Sequence, residues 1–185
     1  MMKKLSDHIL IIENVLTEEE CSFIINEYEN SGNWTPTGLY NLSDKKAKAN
    51  CSHVMITLDK HLYKNGNVID QLIFNRSSEC LKLYREKFPF CVVNKDQGYE
   101  LLKYENGNYL SKHVDYMNEE KDRILSLSFA LNDNYEGGEW SFFDDELSFK
   151  ISTGAAILFP ANFMFPHEIK TVSKNIRYSI VTWFN

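Results

Sequence analysis

Hydrophobic and polar positions repeat with two different periods along this chain. Up to about residue 97, apolar residues recur every three or four positions, which is the period of an amphipathic helix. From residue 98 they alternate with polar residues, which is typical of short strands. The pattern therefore predicts one domain over 1–185, in which a mostly helical support region (1–97) precedes a strand-rich core (98–185).

The support region carries signals for one short strand and two helices. Residues 9–15 form an apolar run, and Thr17 then stands three positions before Glu20, which is the spacing of a capping box at the start of a helix. A second helix is predicted over 68–88, because its apolar stripe ends just before a proline. The polar stretch 33–52 between these helices predicts a mobile surface loop.

The core region predicts eight short strands separated by Gly, Asn and Asp turn residues. This many short strands favour a β-sandwich or a jelly-roll barrel, with the N-terminal helices packed on one sheet from outside. Both faces of the last strand are largely apolar, so we expect it to be covered on both sides. The predicted strands span residues 99–105, 109–114, 123–131, 138–143, 147–151, 154–159, 164–170 and 175–184.

The charge balance and the cysteine pattern narrow the class of protein. Lys and Arg number 20 while Asp and Glu number 26, and the net charge of −6 counts against a protein that mainly grips nucleic-acid phosphates. The four cysteines are widely spaced without a CxxC pair, as expected of reduced thiols in a cytoplasm. We see no signal-peptide pattern and no apolar run near the roughly 20 residues of a membrane span. A cytoplasmic protein without a membrane segment is therefore expected.

The strongest chemical signal is the pair His113 and Asp115, which share one side of a predicted strand because they are two residues apart. A further histidine, His167, follows 52 residues after Asp115 (167 − 115), and Arg177 comes ten residues later. Two histidines and one carboxylate that bind a metal from one side leave positions open for other ligands, which is the arrangement of non-haem Fe(II) oxygenases. A structural zinc site would instead be closed by four ligands, usually including cysteine.

The core region also carries a resemblance to a known family. The order HxD, His, Arg, with a Gly137-Gly138 turn between the ligands, resembles the 2-oxoglutarate- and Fe(II)-dependent dioxygenases, specifically their prolyl 4-hydroxylase-like branch. The resemblance covers about residues 98–185 and implies a mainly β fold with α support (α+β), a double-stranded β-helix (jelly-roll) barrel. The matching stretches are ELLKYENGNYLSKHVDY, RILSLSFALNDNYEGGEWSFF and GAAILFPANFMFPHEIKTVSKNIRYSIVTWF. The opening ILIIENVLTEEECSFIINEY is similar to the N-terminal support layer of that branch.

The resemblance implies four catalytic residues, of which three would bind Fe(II): His113, Asp115 and His167. The fourth, Arg177, would pair with the distal carboxylate of 2-oxoglutarate, since a guanidinium can form a two-point bond to a planar acid. Further cosubstrate contacts are implied for Tyr104, Ser179 and Trp183. Where some relatives carry a second tyrosine near the cosubstrate, this chain has Ala130. Either a water molecule occupies the space that the second tyrosine would fill, or Tyr104 alone contacts the cosubstrate.

By the same resemblance, we expect a hydroxylase that consumes 2-oxoglutarate and O₂ and releases hydroxylated product, succinate and CO₂, with ascorbate as an optional reductant. The expected substrate is proline in a peptide or protein. The expected location is the cytoplasm, or the host cytoplasm if a bacteriophage encodes the chain. Three alternatives stay open: a free amino acid or other small metabolite as substrate, oxidative demethylation of nucleobases, and a barrel that binds metal or a ligand without catalysis. The acidic charge counts against nucleic acid as a partner.

Two polar segments, 33–52 and 116–122, are placed to form a rim or lid over the site. Aromatic residues near them could stack on a prolyl ring or could serve ordinary packing: Trp34, Tyr40, Tyr116 and Trp140. Lysines in the first segment could bind an acidic substrate or could simply belong to a solvated loop: Lys45, Lys46 and Lys48.

Overall fold

The computed structural model describes residues 4–31, 33–37, 49–116 and 122–185. Several of the predictions for the rim lie outside the described residues. These are the ones for Tyr40, Lys45, Lys46, Lys48 and residues 117–121.

Three α-helices lie in the described N-terminal part: α1 (Glu18–Glu29), α2 (Ile56–Asp59) and α3 (Gly66–Lys87). The two long helices lie where the sequence predicts them. Thr17 caps α1 as expected, because its Oγ1 accepts a hydrogen bond from the Glu20 backbone N–H while the Glu20 carboxylate accepts one from the Thr17 N–H. In the described ranges, no helix has both the length and the apolar character needed to cross a membrane.

Short strands contain more of the described residues than the helices do. Each of the eight strands predicted for the core region overlaps an observed strand. In chain order the strands are β1 (Leu10–Ile12), β2 (Thr35–Pro36), β3 (Ala49–Asn50), β4 (Ser52–Met55), β5 (Glu100–Tyr104), β6 (Tyr109–His113), β7 (Leu125–Ala130), β8 (Glu136–Gly137), β9 (Trp140–Phe142), β10 (Leu147–Phe149), β11 (Ala156–Pro160), β12 (His167–Ile169), β13 (Val172–Lys174) and β14 (Arg177–Phe184).

The predicted mobile loop over 33–52 is wrong at the positions that the structure describes. There, β2 pairs with β4, and β3 pairs with β6, each at an edge of a sheet. Both β2 and β3 are only two residues long. Because such short strands are held by backbone hydrogen bonds, they show no alternation of apolar and polar residues by which the sequence could reveal them.

Two sheets face each other and hold the site between them. The larger has seven strands in the order β1-β11-β7-β14-β5-β4-β2, and the smaller has five in the order β10-β9-β12-β6-β3. A separate ladder joins β13 to β8. Among the described residues the hydrogen bonds do not close these sheets into a barrel, so the expected barrel is in fact an open jelly-roll sandwich.

The apolar residues divide into two cores, one on each side of the seven-stranded sheet. The outer core joins the helices to the sheet, with Ile24 of α1 and Ile69 of α3 fully buried. The inner core lies between the two sheets. β14 contributes to both cores, because Ile180 faces the helices while Val181 packs against the inner core. The predictions that helices cover one sheet and that the last strand is covered on both sides are therefore confirmed.

Candidate metal site

Three potential metal ligands converge on one point between the sheets. His113 at the end of β6 and His167 at the start of β12 are direct cross-strand partners, with ring centroids 4.3 Å apart. Asp115 follows two residues after His113, and its Oδ1 lies 3.3 Å from His113 Nε2 and 3.8 Å from His167 Nε2. The three ligand atoms all lie within 4.8 Å of one another, which is close enough to hold a single ion.

Hydrogen bonds behind the ligands set their orientation. The carbonyl oxygen of Ser111 lies 2.9 Å from His113 Nδ1, and that of Phe165 lies 3.1 Å from His167 Nδ1. A carbonyl can only accept, so each Nδ1 carries the proton and each Nε2 lone pair is free to bind a metal. Ser126 on β7 donates a hydrogen bond of 2.6 Å to the second carboxylate oxygen of Asp115.

The protonation states of this cluster suit a divalent cation. Burial, together with the neighbouring His113, lowers the pKa of His167 to about 4, so its imidazole is neutral near pH 7. Burial acts to raise the pKa of Asp115, but the two histidines and Ser126 outweigh it and hold that pKa below its usual range. Deprotonated imidazole and ionised carboxylate are the forms that bind metal. Two histidines and one carboxylate on one side of an ion fit Fe(II) with positions left open.

Arg177, the first residue of β14, lies deeper between the sheets and is only 2% exposed. Its Nη1 donates a hydrogen bond of 2.9 Å to Ser179 Oγ, and its Cζ lies 4.9 Å from the centroid of the Tyr104 ring. Its Nε has no hydrogen-bond partner in the described part of the chain. A buried guanidinium with an unused donor and no described carboxylate against it fits an acidic ligand.

Tyr104 pairs directly with Arg177 across β5 and β14 and is fully buried. Burial, with Cys51 beside it, raises the pKa of Tyr104 well above its ordinary value, so its hydroxyl stays protonated and can donate. That hydroxyl is in hydrogen-bonding contact with Cys51, whose own pKa is raised by burial. Sequence reasoning treats Cys51 only as a reduced thiol, because no motif marks it as a neighbour of this site.

The comparisons with known proteins fit this geometry. Residues 99–185, which contain all three candidate ligands and Arg177, match the family model of the 2OG-Fe(II) oxygenase superfamily. This segment belongs to that superfamily. We call residues 99–185 the oxygenase segment. For this segment, the resemblance to the 2-oxoglutarate- and Fe(II)-dependent dioxygenases is confirmed.

Two curated relatives of this chain are hydroxylases. PKHD-type hydroxylases of two Synechococcus strains, JA-2-3B'a(2-13) and JA-3-3Ab, are each 33% identical to it over 64 residues. That alignment covers 34% of this chain and spans only 28% of the length of either curated relative.

Solved structures of prolyl hydroxylases share the fold over nearly the whole chain. One from Trichoplax adhaerens, in complex with a peptide fragment of the hypoxia inducible factor oxygen degradation domain, has a TM-score of 0.74 at 19% identity, covering 97% of this chain and 84% of its own. The viral collagen prolyl hydroxylase of Paramecium Bursaria Chlorella virus-1, in its 2OG complex, has a TM-score of 0.68 at 17% identity, with coverage of 96% and 95%. These likenesses establish the double-stranded β-helix fold.

The other predicted site residues of the oxygenase segment, Ser179 and Trp183, lie at different positions along β14. Ser179 is buried beside Arg177 and pairs with Ala130 on β7. Trp183 is six residues beyond Arg177 on β14, where it pairs with Ser126 and stacks under Arg123, whose Cζ is 3.6 Å from the ring centroid. Trp183 is therefore at the level of the metal ligands and not beside Arg177. Its contact with a cosubstrate stays a prediction.

The aromatic residues proposed for the rim separate into different environments. Trp34 packs on the helix side of the sheet, with its ring centroid 6.3 Å from that of Tyr178. Trp140 lies in the inner core, 5.7 Å from the ring of His167. Tyr116 is 43% exposed next to Asp115. Of the described members of this set, Tyr116 alone is both exposed and adjacent to a candidate ligand in sequence.

Proposed function

We propose that this protein is a 2-oxoglutarate- and O₂-dependent Fe(II) hydroxylase of the prolyl 4-hydroxylase type. The observation that carries the proposal is the convergence of three metal ligands, with Arg177 deeper between the same two sheets. In the reaction, one oxygen atom of O₂ enters a substrate C–H bond to give an alcohol. The other enters 2-oxoglutarate, which loses CO₂ and becomes succinate.

The proposed metal ligands are His113, Asp115 and His167, bound through the two Nε2 atoms and a carboxylate oxygen. Bound Fe(II) supplies the activation of O₂ that no amino-acid side chain can supply. The protein holds the two imidazoles by their Nδ1 hydrogen bonds and the carboxylate by the Ser126 hydroxyl. Because all three ligands approach from one side, positions remain open for the cosubstrate and O₂.

The proposed cosubstrate pocket is built around Arg177. Its guanidinium binds the distal carboxylate of 2-oxoglutarate, with Nε available because it has no partner among the described residues. Ser179 and the protonated Tyr104 hydroxyl lie beside it and can donate further hydrogen bonds. Burial of all three residues excludes water, which strengthens these contacts.

A peptide or protein is the proposed substrate, with proline as the hydroxylated residue. Support comes from the fold shared with prolyl hydroxylases, one of them solved with a peptide. Further support comes from four exposed apolar side chains in the segments next to Asp115, namely Tyr116, Ile124, Phe163 and Met164. Ala161 connects these segments, since its carbonyl accepts from Tyr116 N–H, its own N–H donates to Ile124 O, and Phe163 follows two residues later. An exposed apolar rim beside a metal site suits a polypeptide that lies across it.

Three further expectations accompany this proposal. The oxygenase segment and the N-terminal region form one domain. Both regions contribute strands to the seven-stranded sheet, and both contribute residues to the outer core. Ascorbate serves as an optional reductant. The protein works in the cytoplasm.

The proposal is tested first by anaerobic titration of the protein with Fe(II) and 2-oxoglutarate. We expect a visible metal-to-ligand charge-transfer band in the wild type and its loss in His167→Ala. His61→Ala is the matched control and should keep the band, because His61 is exposed and lies outside the cluster. Absence of the band in folded wild-type protein would contradict the metal and cosubstrate assignment.

The substrate is tested separately by succinate formation under air. A proline-containing peptide should stimulate it, whereas the same peptide with alanine in place of proline should not, and the product should gain 16 mass units by mass spectrometry. Stimulation by free amino acids but by no peptide would replace the peptide proposal with the small-metabolite alternative.

A further inference from the structure

Ser128 carries a buried hydroxyl that lacks a hydrogen-bond partner in the part of the chain that the structure describes. Its side chain lies in the middle of β7 and is 2% exposed, and Oγ has no hydrogen-bond partner in the described ranges. Leu127 and Phe129 on either side of it face the outer core, whereas Ala130 belongs to the inner core. Because side chains alternate along a strand, Ser128 faces the space between the sheets.

The described surroundings of Ser128 offer its hydroxyl no polar group to bind. Its cross-strand neighbours are Ile157 on β11 and Val181 on β14, and both are apolar residues of the inner core. An unpaired hydroxyl among apolar groups destabilises the folded state, so such groups are rare unless something else binds them.

The position of Ser128 shows what could bind it. Two residues before it on the same face, Ser126 holds Asp115, and two residues after it, Ala130 pairs with Ser179 beside Arg177. At about 3.3 Å per residue, Ser126 and Ala130 are roughly 13 Å apart along the strand, with Ser128 halfway. A ligand that reaches from the metal cluster to Arg177 therefore passes Ser128. The small side chain of Ala130 leaves this stretch of β7 open.

We propose that the Ser128 hydroxyl donates a hydrogen bond to the 2-oxo dicarboxylate cosubstrate and is a binding residue of this site. It supplies from the middle of β7 a polar contact that Ala130, where some relatives carry tyrosine, cannot make. This inference rests on the proposed binding of 2-oxoglutarate between the metal cluster and Arg177.

The test measures binding and does not depend on turnover. Protein loaded with Mn(II) is titrated anaerobically with 2-oxoglutarate by isothermal calorimetry. We expect Ser128→Ala to bind about tenfold more weakly, which corresponds to about 1.4 kcal/mol. Thr182→Val is the matched control. Thr182 is also fully buried, and its hydroxyl has no partner among the described residues, but Ile180 and Phe184, two positions to either side on β14, belong to the outer core. Its affinity should stay within about twofold of wild type.

A second readout separates binding from structural damage. Removing an unpaired buried hydroxyl does not cost a hydrogen bond, so metal-free Ser128→Ala should melt at or above the wild-type temperature while binding the cosubstrate less well. Ser128→Cys, which keeps a side chain of similar shape but donates weakly, should also lose affinity.

Unchanged affinity in Ser128→Ala would overturn this inference while leaving the proposed function intact. Failure of the wild type to bind 2-oxoglutarate would overturn both. The wild-type titration thus decides the proposed function, and the difference between wild type and variant decides the role of Ser128.

Discussion

At the scale of single residues, the orientation of Asp115 depends on one hydroxyl group. Ser126 donates to its Oδ2, leaving Oδ1 to face the two histidines. We expect Ser126→Ala to weaken metal binding by roughly 10- to 100-fold, because hydrogen bonds behind a metal ligand fix its geometry. The measurement is Mn(II) affinity, followed by electron paramagnetic resonance of the free ion.

The control for this variant is Ser141→Ala. The Ser141 hydroxyl likewise donates to an aspartate, Asp145 Oδ1 at 2.5 Å, but that aspartate is not in the metal cluster. Its loss should leave Mn(II) affinity unchanged. Equal affinity in wild type and Ser126→Ala would show that the backbone after β6 is enough to hold Asp115.

Sequence order was enough to select the three candidate ligands that converge in the structure, but not the groups that support them. His113 and Asp115 are recognisable because their spacing places them on one side of a strand, and His167 and Arg177 follow in a familiar order. The serines of β7 carry no such signal. Serines that alternate with leucines are typical of a strand with one solvent-exposed face, whereas both faces of β7 are buried. Which groups meet across a sheet depends on strand register, which one sequence does not reveal.

At the scale of elements, the cap of α1 allows a direct test of local stability. Thr17→Ala removes the side-chain half of the capping box, which should lower the free energy of unfolding by about 1 kcal/mol. Thr17→Ser keeps the hydroxyl and should preserve most of that stability. Urea unfolding measures both variants, and Mn(II) affinity should not change in either. Equal stability of Thr17→Ala and wild type would mean that packing alone maintains this end of the helix.

Elements with a long periodic pattern were predictable, and elements defined only by pairing were not. The apolar faces of α1 and α3 identify both helices to within a few residues. By contrast, β2 and β3 exist because β4 and β6 offer free edges to them. The predicted strand over 164–170 is in fact a turn followed by β12, since the chain must bend to bring His167 opposite His113.

At the scale of the whole molecule, Gly154 joins the N-terminal segment to the oxygenase segment. Its carbonyl accepts hydrogen bonds from the N–H groups of Val15 and Leu16, and its own N–H donates to Ala130 O. Its φ is +79°, and a Cβ there would lie only 2.1 Å from Leu16 O. We expect Gly154→Ala to lower the free energy of unfolding by on the order of 3 kcal/mol or more, measured by urea denaturation.

Gly107→Ala is the control that measures the cost of backbone strain without a clash such as that between a Cβ at position 154 and Leu16 O. Gly107 also has a positive φ, +86°, but a Cβ there would meet nothing within 4 Å. It should therefore show only the strain, about 1–2 kcal/mol. Equal losses in the two alanine variants would mean that docking of the N-terminal segment contributes little to the stability of the fold.

The position of β14 also determines when the molecule can become complete. It is the last described strand in chain order, yet it lies in the middle of the large sheet, between β5 and β7. During synthesis, β5 and β7 therefore leave the ribosome before the strand that must join them, and each waits with an unpaired edge. The same late strand carries Arg177 and Ser179. A nascent chain that stops before residue 177 thus lacks both the centre of its sheet and the proposed anchor for the cosubstrate.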